Sequence, residues 1–302
     1  MSIAAREALD RTREETFRPT SPAAEPSYES IPASARFINR LVLNPLRNYL
    51  LPAGLARGVL AKSRSPLIAE ALVRPGSWRS MEITYQNPEP VDWIDNLALR
   101  KTPMALASRN RRKYVTRKLA DLIGFYAARD RVTIVGVGAG PGLHVQNALA
   151  VSGVHPDRVS AYLIDRDGDA FDYGGRMASR LGLGSSLRFI QGDARQISAL
   201  LPHVVPQIVK LVGLVEYLND QELVELIEVL HGIMPTGGTI LTHGLVDSWG
   251  NGRFMARVFG LRHQTRTEER LTHILSRAGF EICERFTEPV GIYPLLLAKK
   301  AA

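Results

Sequence analysis

Cysteine is almost missing from this chain of 302 residues: Cys283 stands alone, so no internal disulfide can form. That usage fits a reducing, cytoplasmic setting. Long hydrophobic runs are missing too. No apolar stretch reaches the roughly 18 residues that a transmembrane helix needs. Met1 to Asp10 contains acidic residues and no apolar core, so it does not read as a secretory signal. There is no internal repeat. No RNA-recognition module or aromatic platform accompanies the basic residues, which makes nucleic acid a less favoured partner. No metal is expected, and no pattern sets an oligomeric state.

What is present belongs to a soluble globular protein, with 45% hydrophobic and 23% charged residues. The length allows one large domain or two ordinary ones. The net charge of +8 is uneven. Residues 1–130 carry 21 Lys+Arg against 13 Asp+Glu, and residues 131–302 carry 17 of each. Such asymmetry fits an anionic partner: nucleic acid, a phospholipid surface or an acidic substrate.

Three regions follow from the pattern. Residues 1–30 are polar, contain Pro19, Pro22 and Pro26, and read as a flexible tail. Residues 31–127 read as a helical lid region. Within it, Ile38, Leu41, Leu46, Leu50 and Leu55, broken by Pro45 and Pro52, predict short amphipathic helices over 31–75. Residues 76–103 carry Trp78, Tyr85 and Trp93 among prolines and read as irregular, and a helical period returns over 104–127. Residues 128–302 form the third region, where strands and helices alternate. Strands are expected at 132–137, 160–164, 187–191, 209–215, 238–243, 280–286 and 291–298. Capping-box patterns open helices at Asn219-x-x-Glu222 and Thr265-x-x-Glu268. The alternation predicts an α/β, Rossmann-like, doubly wound seven-stranded sheet. The short link between the last two strands makes the final one an antiparallel hairpin strand.

Residues 132–142 read Val-Thr-Ile-Val-Gly-Val-Gly-Ala-Gly-Pro-Gly, an apolar strand entering a turn with Gly138, Gly140 and Gly142 at alternate places. Glycine accepts positive φ and lets a ligand approach the backbone. A helix beginning there would aim free N–H groups at that ligand. Ligands of such sheets sit beyond the carboxyl ends of the strands. The second strand ends in Asp165, 23 residues after Gly142 and so placed to accept ribose hydroxyls. The third ends Gly192-Asp193-Ala194, where a carboxylate meets an adenine amino group. The fourth ends Gly213-Leu-Val-Glu216-Tyr217.

Together these residues resemble the class I S-adenosylmethionine-dependent methyltransferases. The resemblance covers about 170 residues of the chain. It extends more loosely to an uncharacterised group of bacterial methyltransferases, through Gln191-Gly-Asp-Ala, Gly213-Leu-Val-Glu-Tyr-Leu and Gly291-Ile-Tyr. It implies S-adenosyl-L-methionine as cofactor, held by Gly136, Gly138, Ala139, Gly140, Gly142, Asp165, Arg166, Gly192, Asp193, Ala194, Gly213 and Glu216. One place departs from the family. Gly136 stands where an acidic residue usually helps hold the methionine ammonium. Glu216 and the acids of 92–95 are candidates to replace it, unless the methionine end lies differently. An NAD-type dehydrogenase fits the third-strand motif and the terminal hairpin less well.

Methyl transfer is a displacement at carbon and needs alignment and proton removal rather than a dedicated motif. Glu216, Tyr217 and His243 are the catalytic candidates at the strand ends. His243 is either a base near neutral pH or a histidine bonded to backbone. Tyr85 and Trp93 are candidate acceptor contacts, and Arg109 and Arg112 of the basic stretch 108–118 are candidate anion contacts. The expected acceptor is a small molecule or a lipid headgroup. Transfer of the 3-amino-3-carboxypropyl arm, RNA methylation, and a non-catalytic binding module remain the other readings.

Overall fold

The computed structural model describes residues 27–301. Most of the expected tail lies outside them. Its described end is tied down, because Glu29 accepts two bonds from Arg109, at 2.7 and 2.6 Å.

The chain enters through helices α1 (Ala33–Ile38), α2 (Ala53–Leu60), α3 (Pro66–Val73), α4 (Trp78–Gln86), α5 (Trp93–Asn96) and α6 (Pro103–Ala127). Wide helical turns at Asn39–Leu43 and Leu46–Leu50 continue α1. Residues 76–103 are more ordered than their prolines imply. Ser77 caps α4 by accepting from Ser80 N–H, and the helix stops at Asn87, the residue before Pro88, in the left-handed conformation. The prolines act only after that stop.

The sheet comprises β1 (Val132–Val137), β2 (Val159–Asp165), β3 (Leu187–Gln191), β4 (Ile208–Leu211), β5 (Thr239–His243), β6 (Phe280–Thr287) and β7 (Pro294–Lys300). Their order is β3-β2-β1-β4-β5-β7-β6, parallel except for β7, which pairs antiparallel with both β5 and β6. The helices of this half are α7 (Leu143–Ser152), α8 (Asp169–Arg180), α9 (Ile197–Leu200), α10 (Asp220–Ile233), α11 (Gly252–Phe259) and α12 (Glu268–Arg277). Alternate residues of each strand feed opposite cores. Val132, Ile134 and Ile208 pack with Leu119 and Ile123 of α6 and with α7. Val135, Val137, Val209 and Leu211 pack with Leu226, Ile227 and Leu230 of α10 and Leu271 of α12. Both faces are covered, as a parallel sheet requires.

Several boundaries differ from the sequence pattern. The fourth strand ends at Leu211 rather than 215, because Gly213 adopts φ +98° and turns the chain into a short 3-10 segment. Glu216 and Tyr217 therefore sit on a turn. The seventh strand begins at Pro294 rather than 291, since Glu288 holds the N–H groups of Val290, Ile292 and Tyr293 in a preceding loop. Helix α12 is capped by Thr267, two residues after the expected Thr265. The Asn219–Glu222 capping box forms in full. No helix among the described residues is long and apolar enough to cross a membrane.

Candidate active site

Strand order reverses between β1 and β4, the crevice where such sheets receive ligands. A cleft of about 300 Å³ opens there. Its floor is the glycine turn. Ala139 N–H donates to Ile164 O (3.0 Å) and Gly140 N–H to Asp165 Oδ2 (2.7 Å), so the turn hangs from the end of β2. Gly138 and Gly140 take φ +58° and +55°. A Cβ on Gly138 would lie 2.7 Å from Leu214 Cβ, so the floor leaves no room for a side chain there. Gly142 then leads into α7.

The roof comes from the N-terminal half. Trp78, Glu82 and Tyr85 of α4 and Arg111 and Arg112 of α6 face the floor across the cleft. His144, in the first turn of α7, also lines it. Trp78 Nε1, His144 Nε2 and Arg111 Nε on this cleft are buried without hydrogen-bond partners. Buried polar atoms are usually paired, so the three are available to a polar ligand. Burial, reinforced by Lys210, Arg112 and Arg111, keeps His144 far below its ordinary value and hence neutral.

At the far end, a buried charge cluster closes the cleft. Arg111 Nη1 donates to Glu216 Oε1 and stands 3.2 Å from His243 Nε2. Its Nη2 donates to Tyr85 Oη (3.2 Å), and its guanidinium lies 4.2 Å from the centre of the Tyr293 ring. The second Glu216 oxygen is 3.6 Å from His263 Nε2. Burial would raise the Glu216 carboxyl, but Arg111, with His243 and His263, outweighs it and holds it low.

Several sequence-level candidates lie elsewhere or are already engaged. His243 Nε2 accepts from Gly213 N–H (2.9 Å) and its Nδ1 is 2.7 Å from Gly244 O, the bond of an Nδ1–H donor. Burial and then Arg111 push it down to about 3. Both of its ring nitrogens face backbone groups. Burial also raises the Tyr217 phenol, which stays protonated while it lines the cleft. Arg109 spends its donors on Glu29 and on Leu99 O (2.7 Å). Trp93 is 70% exposed and does not line the cleft. Asp92 and Asp95 accept from Ser63 and Ser65 and do not line the cleft. Asp193 is held well below the usual carboxylate range by Arg195 and Arg166, and neither it nor Arg166, Gly192 or Ala194 lines the cleft. Gly136 lies inside β1. A Cβ there would come 2.9 Å from Leu163 Cδ2, so a side chain at this place would require Leu163 to shift.

Arg111, Trp78, Glu82, His144 and Lys210 were not singled out from sequence. His144 and Lys210 had readable signals: one stands two residues after the glycine turn, the other is a lone cation in the apolar run Ile-Val-Lys-Leu. Lys210 is paired in register with Gly136, and its Nζ donates to Val212 O (2.9 Å). Burial and then Arg111 push its ammonium from 10.5 down to about 7. A lysine lowered on folding destabilises fully below pH 7, and the burden fades as pH rises toward 10.5. Lys210→Met therefore stabilises the protein at pH 6, on the order of 3–5 kcal/mol, with little gain at pH 10. Urea unfolding at the two pH values measures this, and a pH-independent difference would refute it.

The fold is shared with solved methyltransferases. A magnesium protoporphyrin IX methyltransferase from Synechocystis, with bound S-adenosylhomocysteine, aligns with TM-score 0.54 at 14% identity, over 87% of this chain and 100% of that one. A family 2 O-methyltransferase from Planctomyces limnophilus, in complex with apigenin, gives 0.51 at 12%, over 94% and 100%. A possible exported protein from Bordetella parapertussis gives 0.66 at 17%, over 90% and 98%. No curated protein matches the sequence. At these identities the comparison shows the fold, the Rossmann-like one of methyltransferases. Residues 105–300 match the family described as "Putative methyltransferase", and the chain belongs to that family.

Proposed function

We propose that this cleft binds S-adenosylmethionine between the glycine turn and α4, and that the chain methylates a small molecule or a lipid headgroup. The observation that carries this is the set of unpartnered buried donors or acceptors, Trp78 Nε1, His144 Nε2 and Arg111 Nε, facing a floor of positive-φ glycines beside Asp165. Gly138, Ala139 and Gly140 would carry the nucleoside along the turn, and Asp165 would accept the ribose hydroxyls with lone pairs left beside its bonds to Gly140 and Asp167. Glu82 and Glu216 also line the cleft, and either carboxylate would take the ammonium role of the acid that Gly136 replaces. Arg112 would meet the carboxylate end, its guanidinium 5.1 Å from the centre of the Tyr85 ring. The cofactor supplies an electrophilic methyl group on its sulfonium when bound. Tyr217, which lines the cleft next to Glu216, would orient the acceptor.

Transfer of the aminocarboxypropyl arm remains the second reading, favoured by the missing acid at Gly136 and the buried lysine paired beside it. Mass spectrometry of the by-product separates the two. S-Adenosylhomocysteine is expected; methylthioadenosine would replace methyl transfer with the second reading. RNA as acceptor loses support from the basic stretch, since Arg109 and Arg111 are spent on internal partners.

A further inference from the structure

The helical strap at residues 33–60 is amphipathic in the reverse sense. A surface helix ordinarily buries its apolar stripe and shows polar groups to water. Here the polar side is docked. Asn39 Nδ2 and Arg47 Nη2 donate to Trp249 O at 3.0 and 2.6 Å, and Asn48 Nδ2 donates to Gly250 O at 2.8 Å. Arg36 donates to Val290 O and lies over the Trp249 ring. The apolar side points outward. Phe37, Leu41, Leu46, Tyr49 and Leu50 recur at helical spacing and are between 50% and 71% exposed, and Leu55 of α2 is exposed as well. Single exposed leucines need no explanation, whereas a continuous face of them marks an interaction surface.

Charge identifies the occupant. From Ser30 to Ala69 there is no acidic residue, while Arg36, Arg40, Arg47, Arg57, Lys62 and Arg64 are basic. Arg40 and Lys62 are exposed without a partner among the described residues. A second copy seated by two-fold symmetry would set this predominantly basic stretch against itself, cation facing cation. Residues 1–26 offer only Met1, Ile3, Leu9 and Phe17 as large apolar side chains with which to cover it. An anionic bilayer surface satisfies both features, with the apolar side chains at the acyl boundary and the cations at the headgroups. We propose that the strap docks the protein on an anionic lipid surface. This rests on the strap alone and is independent of the reaction in the cleft.

Co-sedimentation of the full chain with vesicles tests it, using phosphatidylcholine with and without phosphatidylglycerol. Binding at least about tenfold stronger to the anionic vesicles is expected, weakening as salt is raised. Leu41→Asp with Leu50→Asp should lower that binding by about tenfold or more, with unchanged circular dichroism, because both side chains are exposed. Arg40→Glu with Lys62→Glu should weaken it as well. Failure of the wild type to bind anionic vesicles would overturn the proposal, as would undiminished binding by the leucine variant. A dimer that the leucine variant splits would give the face to a second copy. Binding that appears only after removal of residues 1–26 would give it to the start of the chain. Either result also overturns the proposal.

Discussion

Arg111→Met is expected to lower the folding free energy by about 3–5 kcal/mol, because it leaves Glu216 buried without its cation. Their side chains are 3% and 6% exposed, so water cannot substitute for either partner. Removing both charges is the informative control. Arg111→Met combined with Glu216→Leu should return to within about 1–2 kcal/mol of the wild type, since a buried ion pair often gains little over apolar groups of similar volume. Urea unfolding of the two variants at neutral pH measures both. A loss below about 1 kcal/mol for the single variant would mean a hydrated pair, with no role in closing the cleft. The acid side of the stability profile adds a signature. Glu216 is lowered from its ordinary 4.5, so its contribution is present above that pH and disappears as pH falls through the folded value. The double variant should lack that part of the profile.

Asp165→Ala should weaken S-adenosylmethionine binding by about 30–100-fold in isothermal titration, with the fold retained by circular dichroism. Asp165 is the carboxylate that both lines the cleft and fixes the glycine turn, through Gly140 N–H at 2.7 Å. Truncation removes the ribose acceptor and releases the floor together. Asp193→Ala should change binding by less than about threefold, because Arg166 and Arg195 already occupy that carboxylate outside the cleft. Two carboxylates that the family motif treats as one nucleoside site are thereby separated by experiment. Equal losses at the two positions, or a larger one at Asp193, would move the adenosine beyond the third strand and refute this placement.

The legible parts of the molecule were those that depend on neighbours in sequence. The apolar runs at 132–137 and 187–191 coincide with β1 and β3, and the Asn219–Glu222 box caps α10, because strand period and cap chemistry are local. The turn from Gly138 to Gly142 was legible for the same reason, since positive φ is a property of single residues. The identity of the cleft was not. Arg111 and Glu216 are 105 positions apart, and Arg111 and His243 are 132 apart. Nothing in the stretch 108–118 distinguishes Arg111, turned inward, from Arg109, spent on Glu29, because a basic run records charge and not direction. The strap at 33–60 makes the same point. Its helical spacing is visible in sequence, but which face is buried was decided by the carbonyls of Trp249 and Gly250, which reward Asn39 and Asn48 over the leucines between them. Sequence determined the strands, the glycine turn and the class of fold. Tertiary structure decided which charges are spent, which polar atoms are left without partners and which surface faces outward, because burial and pairing are set by groups far away along the chain.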